Sequence, residues 1–64
     1  MLSIVIPVYN EEEIVVEAAT EIKKVLTDEH IAFEIVFVDD GSRDRSWQLI
    51  CGEHKKDGRI KGVK

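Results

Sequence analysis

The chain has a single cysteine, so no internal disulfide can form, and neither His30 nor His54 has the thiol neighbours of a zinc site. Both of the staples that very small domains lean on are therefore missing. At 64 residues, folding buries only about 60% of the surface that the unfolded chain exposes. No apolar run approaches the roughly 18 residues of a bilayer-crossing helix. No positively charged segment or small-residue cleavage site marks a leader at the start. Basic residues form no block: Lys55, Lys56, Arg59, Lys61 and Lys64 are spread along the last stretch of a chain whose net charge is −4. They read as a solvated face, and nucleic acid is not an expected partner. GxGxxG and GxxxxGKS/T are both absent, which removes the dinucleotide fingerprint and the P-loop. A lone thiol without a targeting segment is the pattern of a reducing, cytoplasmic location.

What is present is an ordinary globular composition, 44% hydrophobic and 34% charged. Two short apolar runs stand out. Leu2 to Val8 ends in Tyr9-Asn10-Glu11, and Ile35 to Val38 runs straight into Asp39-Asp40-Gly41-Ser42. Such runs bounded by turn residues are the pattern of strands buried on both faces. Between them, Val15, Ala18, Ala19, Ile22, Val25 and Leu26 repeat at helical spacing, which predicts a helix over about 11–27. Asn10 with Glu13 three residues on has capping-box spacing. Pro7 falls at the end of the first strand, where a missing N–H costs least. A second helix follows Ser42 or Asp44 as cap, with Trp47, Ile50, Cys51 and His54 along its apolar side. Asp57-Gly58 is a turn signal, and Arg59 to Lys64 starts a third strand.

The order is β-α-β-α-β, an α/β class in which alternation means parallel strands joined by right-handed crossovers. If the three strands lie side by side, both helices fall on one face and the other stays bare, although strands this apolar expect cover on both. Residues 1–64 therefore read as one portion of a larger domain, without separate domains of their own, or as a chain that self-associates through its bare sheet face or edge.

Residues at the carboxyl ends of such strands are where open α/β sheets bind ligands. Asp39 and Asp40 can hold Mg²⁺ or accept hydrogen bonds from a ribose or base; the bland reading makes one a turn cap and the other solvated. Gly41 supplies backbone freedom in a tight turn, and Ser42 and Asp44 read as caps. On the neighbouring strand end, Tyr9 can stack on a planar base and Glu11 can accept from sugar or base donors. Cys51 and Trp47 read as packing, and neither histidine is given a role.

The run Ser3-Ile4-Val5-Ile6-Pro7-Val8-Tyr9-Asn10-Glu11-Glu12, followed by Val38-Asp39-Asp40-Gly41-Ser42-Arg43-Asp44, resembles the amino-terminal end of family-two glycosyltransferases with the Rossmann-like GT-A fold. Within that family it looks most like the dolichol-phosphate mannose synthase and bactoprenol glucosyltransferase group. The resemblance implies a hexosyltransferase moving sugar from a nucleotide-diphosphate donor to a polyprenyl or dolichyl phosphate, as in cell-wall or lipopolysaccharide glycosylation. It implies that Pro7, Tyr9, Glu11, Val38 and Asp40, with Asp39 beside them, line the nucleotide pocket. It also implies Mg²⁺ or Mn²⁺ on the diphosphate, and a place at the cytoplasmic face of a membrane for the full-length protein. The family's Asp-x-Asp metal motif and catalytic region have no counterpart in these residues. No catalytic residue or metal ligand is assigned, and the chain by itself is expected to be inactive. Two rivals stand beside this: a receiver-type Mg²⁺-binding phosphorylation domain, in which the acid pair closes the first strand and not the second, and an inert self-associating fragment.

Overall fold

The computed structural model describes all 64 residues. Strand β1 (Leu2–Val8), helix α1 (Glu12–Asp28), strand β2 (Phe33–Asp39), helix α2 (Ser46–Lys56) and strand β3 (Ile60–Val63) follow in the predicted order. The sheet is parallel, ordered β1-β2-β3, with Leu2 opposite Phe33, Val8 opposite Asp39, and Ile35 opposite Ile60.

Alternation along β2 shows where the core lies. Phe33, Ile35, Phe37 and Asp39 are buried, while Glu34, Val36 and Val38 between them are half-buried. The buried set meets Val15, Ala19 and Leu26 of α1, Ile50 of α2, and Val8 and Ile60 of the flanking strands. Both helices thus cover one face, as right-handed crossovers between neighbouring strands require. The other face carries Ser3, Val5 and Pro7 on β1, all exposed, and Lys61 and Val63 on β3. It is divided: Glu34 accepts from the Ser3 hydroxyl and from Lys61 Nζ at 3.0 Å, a polar ladder across all three strands. The Ser3 bond first, and then Lys61, hold the Glu34 carboxyl below its usual range. Towards the strand ends the same face is apolar.

Strand β1 has the expected bounds, and Pro7 is its penultimate residue. Leu2 and Val8 bond inward to β2, so the alternate residue Pro7 turns its missing N–H to the sheet's outer edge and forfeits no ladder bond. The capping box at Asn10 does not form, because Glu11 occupies the N-cap position and its own side chain makes no capping bond. Helix α2 presents Ser46, Ile50 and Glu53 to the core, so its buried row is one step round from the expected one. The two polar members of that row are satisfied locally, Ser46 by Asp44 and Glu53 by Lys56 at 3.1 Å.

Helix α1 ends two residues before a left-handed His30 (φ 56°). The Ile31 N–H bonds Leu26 O at 2.9 Å and the His30 N–H bonds Thr27 O at 3.1 Å, the paired bonds of a Schellman stop with histidine in the place glycine usually takes.

Candidate functional site

The rim where β1 and β2 end is built by the ladder itself. Past the paired Val8 and Asp39, the Asp40 N–H donates to Val8 O at 3.0 Å, so the two chains leave the sheet side by side. One turns through Tyr9 to Glu11 into α1, the other through Asp40 to Arg45 into α2. Each needs a left-handed residue to make its turn, Asn10 (φ 50°) and Gly41 (φ 80°).

The two loops are stapled together. The Asn10 N–H donates to Ser42 Oγ at 2.9 Å, and the Arg43 N–H donates to Asn10 Oδ1 at 2.7 Å. The Glu12 N–H, a first-turn donor of α1 with no partner inside its helix, donates to Asp44 Oδ2 at 3.1 Å. Arg45 Nε reaches Glu12 Oε2 at 3.0 Å. Asp44 also accepts at Oδ1 from the Ser46 N–H at 2.9 Å and from the Ser46 hydroxyl. It therefore serves the starts of both helices, from just before the N-cap of α2. These bonds favour the carboxylate, the Ser46 hydroxyl most, and hold the Asp44 carboxyl below its ordinary range. Asn10 and Ser42, read in the sequence as separate caps, are cross-loop ties, while Asp44 is both the local cap at the start of α2 and a tie to Glu12. The cross-loop partners lie more than 30 positions away, beyond the reach of any local motif.

The adjacent acids part company. Asp39 is 3% exposed and faces the helices; its Oδ1 accepts from the Ser42 N–H at 2.9 Å, fixing the turn, and its Oδ2 has no hydrogen-bond partner. Asp40 is exposed. Tyr9 is 56% exposed, and Glu11 is also open to solvent. Pro7 and Val38 are opposite one another in the ladder, on the bare face just below the rim. The sequence's candidate residues are thus brought to one edge, with Asp39 turned inward beneath it. An exposed ring, exposed carboxylates and a small apolar floor can stack a planar base and accept hydrogen bonds from its edge or its sugar.

A hollow on the rim, about 360 Å³, is lined by Asn10, Glu11, Glu12, Glu13, Ile14 and Asp44. Its acids repel a bare diphosphate. No group of three or more His, Cys, Asp or Glu side chains converges to hold a metal ion. No helix is long and apolar enough to cross a membrane.

Comparison with known proteins bears on this edge. A family model described as glycosyl transferase family 2 matches residues 3–64. An undecaprenyl-phosphate 4-deoxy-4-formamido-L-arabinose transferase of Pseudomonas aeruginosa is 47% identical over 58 residues, covering 91% of this chain and 17% of that protein. The uncharacterized glycosyltransferase YkoT of Bacillus subtilis is 40% identical over 70 residues, covering all of this chain and 21% of its own. An uncharacterized glycosyltransferase, RC0461, of Rickettsia conorii is 48% identical over 62 residues, 94% of this chain and 9% of that one. The chain spans about a fifth or less of the length of these relatives.

Proposed function

The chain belongs to glycosyl transferase family 2, and from that premise we propose that its stapled rim is the nucleotide end of a sugar-donor site. The observation that carries the reading is the convergence of Tyr9, Glu11 and Asp40, exposed, with Pro7 and Val38 at one strand-end edge. Tyr9 stacks on the base, Asp40 and Glu11 accept from base or ribose donors, and Pro7 with Val38 forms the apolar floor. Asp39 acts from below, holding the Ser42 amide and so the loop that presents Asp40.

For the whole transferase, the proposal is transfer of a hexose from a nucleotide-diphosphate sugar to a polyprenyl or dolichyl phosphate at the cytoplasmic face of a membrane. Support for the acceptor comes from the Pseudomonas relative, whose name specifies undecaprenyl phosphate; the sugar in that name is an arabinose derivative, a pentose, so the hexose rests on the resemblance alone. A Mg²⁺ or Mn²⁺ ion on the diphosphate belongs to this proposal for the whole protein only; the residues described supply no ligand set for it. Self-association through the bare sheet face is likewise proposed, on the exposed Val5 and Val63 that it carries.

Titration with UDP, GDP and their sugars tests the donor reading. Saturable binding that weakens at least about tenfold in Asp40→Ala, equivalent to one charge-assisted hydrogen bond, is the expected result. Absence of binding by every nucleotide at millimolar concentration, or equal binding by Asp40→Ala, overturns it.

A further inference from the structure

Away from the rim, a groove of about 510 Å³ runs between α2 and the edge strand β3. Its wall is the flank of α2 left over when Ser46, Ile50 and Glu53 turned inward: Trp47, Cys51 and His54, one helical stripe. Gly62 is its floor. A Cβ there would lie 2.5 Å from Ile50 Cγ2 and 3.1 Å from the Trp47 ring, so only glycine lets the indole settle against the strand. His54 Nδ1 lies 2.6 Å from Ile60 O and closes one end.

The rim of the groove is cationic. Lys55 and Lys61 line it, and Lys64 Nζ lies 5.2 Å from the centre of the Trp47 ring. Lys61 shares its charge with Glu34, but Lys55 and Lys64 make no ion pair. In a chain with a net charge of −4, no acid lines this groove. Charge is therefore segregated around an apolar, indole-walled channel.

We infer that this groove is a docking surface for an anionic lipid bilayer. The chemistry matches on each count. Lysine stems lie along apolar surface while their ammonium groups reach headgroup phosphates. An indole prefers the boundary between acyl chains and headgroups. No acid lines the groove, so this side complements an anionic surface. The inference rests on the membrane location proposed for the whole transferase and names the surface behind it; it is separate from the donor-site reading, because the groove shares no residue with the strand-end rim.

Trp47 is the chain's only tryptophan, so its emission reports the groove directly. The test is titration with phosphatidylglycerol vesicles and, separately, phosphatidylcholine vesicles. A saturable blue shift with the anionic vesicles alone, reversed by salt near half-molar, is expected. Lys55→Glu, on an exposed side chain whose replacement leaves the fold intact by circular dichroism, should weaken partition at least roughly fivefold. The inference is overturned by an unchanged emission at millimolar anionic lipid, by an equal shift with phosphatidylcholine, or by undiminished binding of Lys55→Glu. It is also overturned if inorganic phosphate alone reproduces the shift, which would make the groove a soluble-anion site. Nucleotide titration of the same sample is expected to be unaffected by Lys55→Glu, so failure here and failure at the rim are read separately.

Discussion

Asn10 and Ser42 are joined across the rim by a hydrogen bond from the Asn10 amide to the Ser42 hydroxyl oxygen at 2.9 Å, while the Asn10 side chain accepts from the Arg43 amide. Each loop thereby supplies the backbone partner that the other lacks. The candidate residues Tyr9 and Asp40 stand on either side of this tie, so its integrity sets their separation.

Two separable effects should follow from changing Asn10. Asn10→Ala loses the bond to Arg43 and leaves a Cβ in the left-handed region without the polar side chain that makes asparagine tolerate it, a position that costs an ordinary residue about 1–2 kcal/mol. Asn10→Gly loses the same bond, about 0.5–1.5 kcal/mol, but removes the Cβ and so frees the turn of its left-handed cost. Urea denaturation should therefore rank the native chain above Asn10→Gly, and Asn10→Gly above Asn10→Ala. An inverted order of the two variants would mean that the turn does not hold the φ of 50°.

At the other end of α1, His30 occupies a position where glycine is the usual residue. Replacement by glycine relieves the left-handed strain, less the extra freedom glycine gains in the unfolded chain. His30→Gly should be more stable than the native chain by roughly 0.5–1 kcal/mol, read as a rise in the midpoint of thermal unfolding. A loss of stability would show that the imidazole contributes more than its backbone costs.

Gly62→Ala should be costly for the opposite reason. The new methyl group meets Ile50 at 2.5 Å and Trp47 at 3.1 Å, and overpacking of this kind costs typically about 1–3 kcal/mol. The same variant should change Trp47 emission in the folded state, because the indole must move. Unaltered emission together with native stability would contradict the packing described.

Acid should unfold the chain through carboxylates whose protonation the fold opposes. Hydrogen bonds from the Arg59 side chain and amide take Asp57 from an ordinary value near 3.8 down to about 2, and Asp44 and Glu34 are lowered as well. A carboxyl with a depressed folded pKa contributes stability that is complete above its unfolded pKa and is lost as pH falls through the folded one. Stability should be flat above about pH 5 and fall between roughly pH 4 and pH 2. Asp57→Asn should flatten that slope, and an unchanged slope would exclude the Arg59 contact as its source.

Self-association has its own measurement. Sedimentation across a concentration series should show a dimer whose population drops when Val5, 62% exposed on the bare face, is replaced by lysine. A single monomeric species at every concentration would dismiss the proposal.

Much of this was legible in the residues. Periodicity placed β1, α1, β2 and β3 to within a residue or two, and the handedness of crossovers put both helices on one face. The strand-end candidates did arrive at one edge. Two features were not legible. The buried row of α2 contains Ser46 and Glu53, which a hydrophobic pattern assigns to solvent; they are tolerated inside because Asp44 and Lys56 satisfy them. Asn10 has the composition of a helix cap, and only the arrival of Ser42 and Arg43 from the far loop makes it a tie instead.

The sequence by itself determined that two apolar strands would end in polar turns at one rim, and that one of Asp39 and Asp40 could cap the turn while the other met solvent. It could not say which of them water would reach. Tertiary structure decided that, because the face covered by α1 and α2 is the one carrying Phe33, Ile35 and Phe37, and Asp39 continues their row. Buried there, Asp39 fixes the turn through the Ser42 amide and leaves Asp40 as the acid presented at the edge.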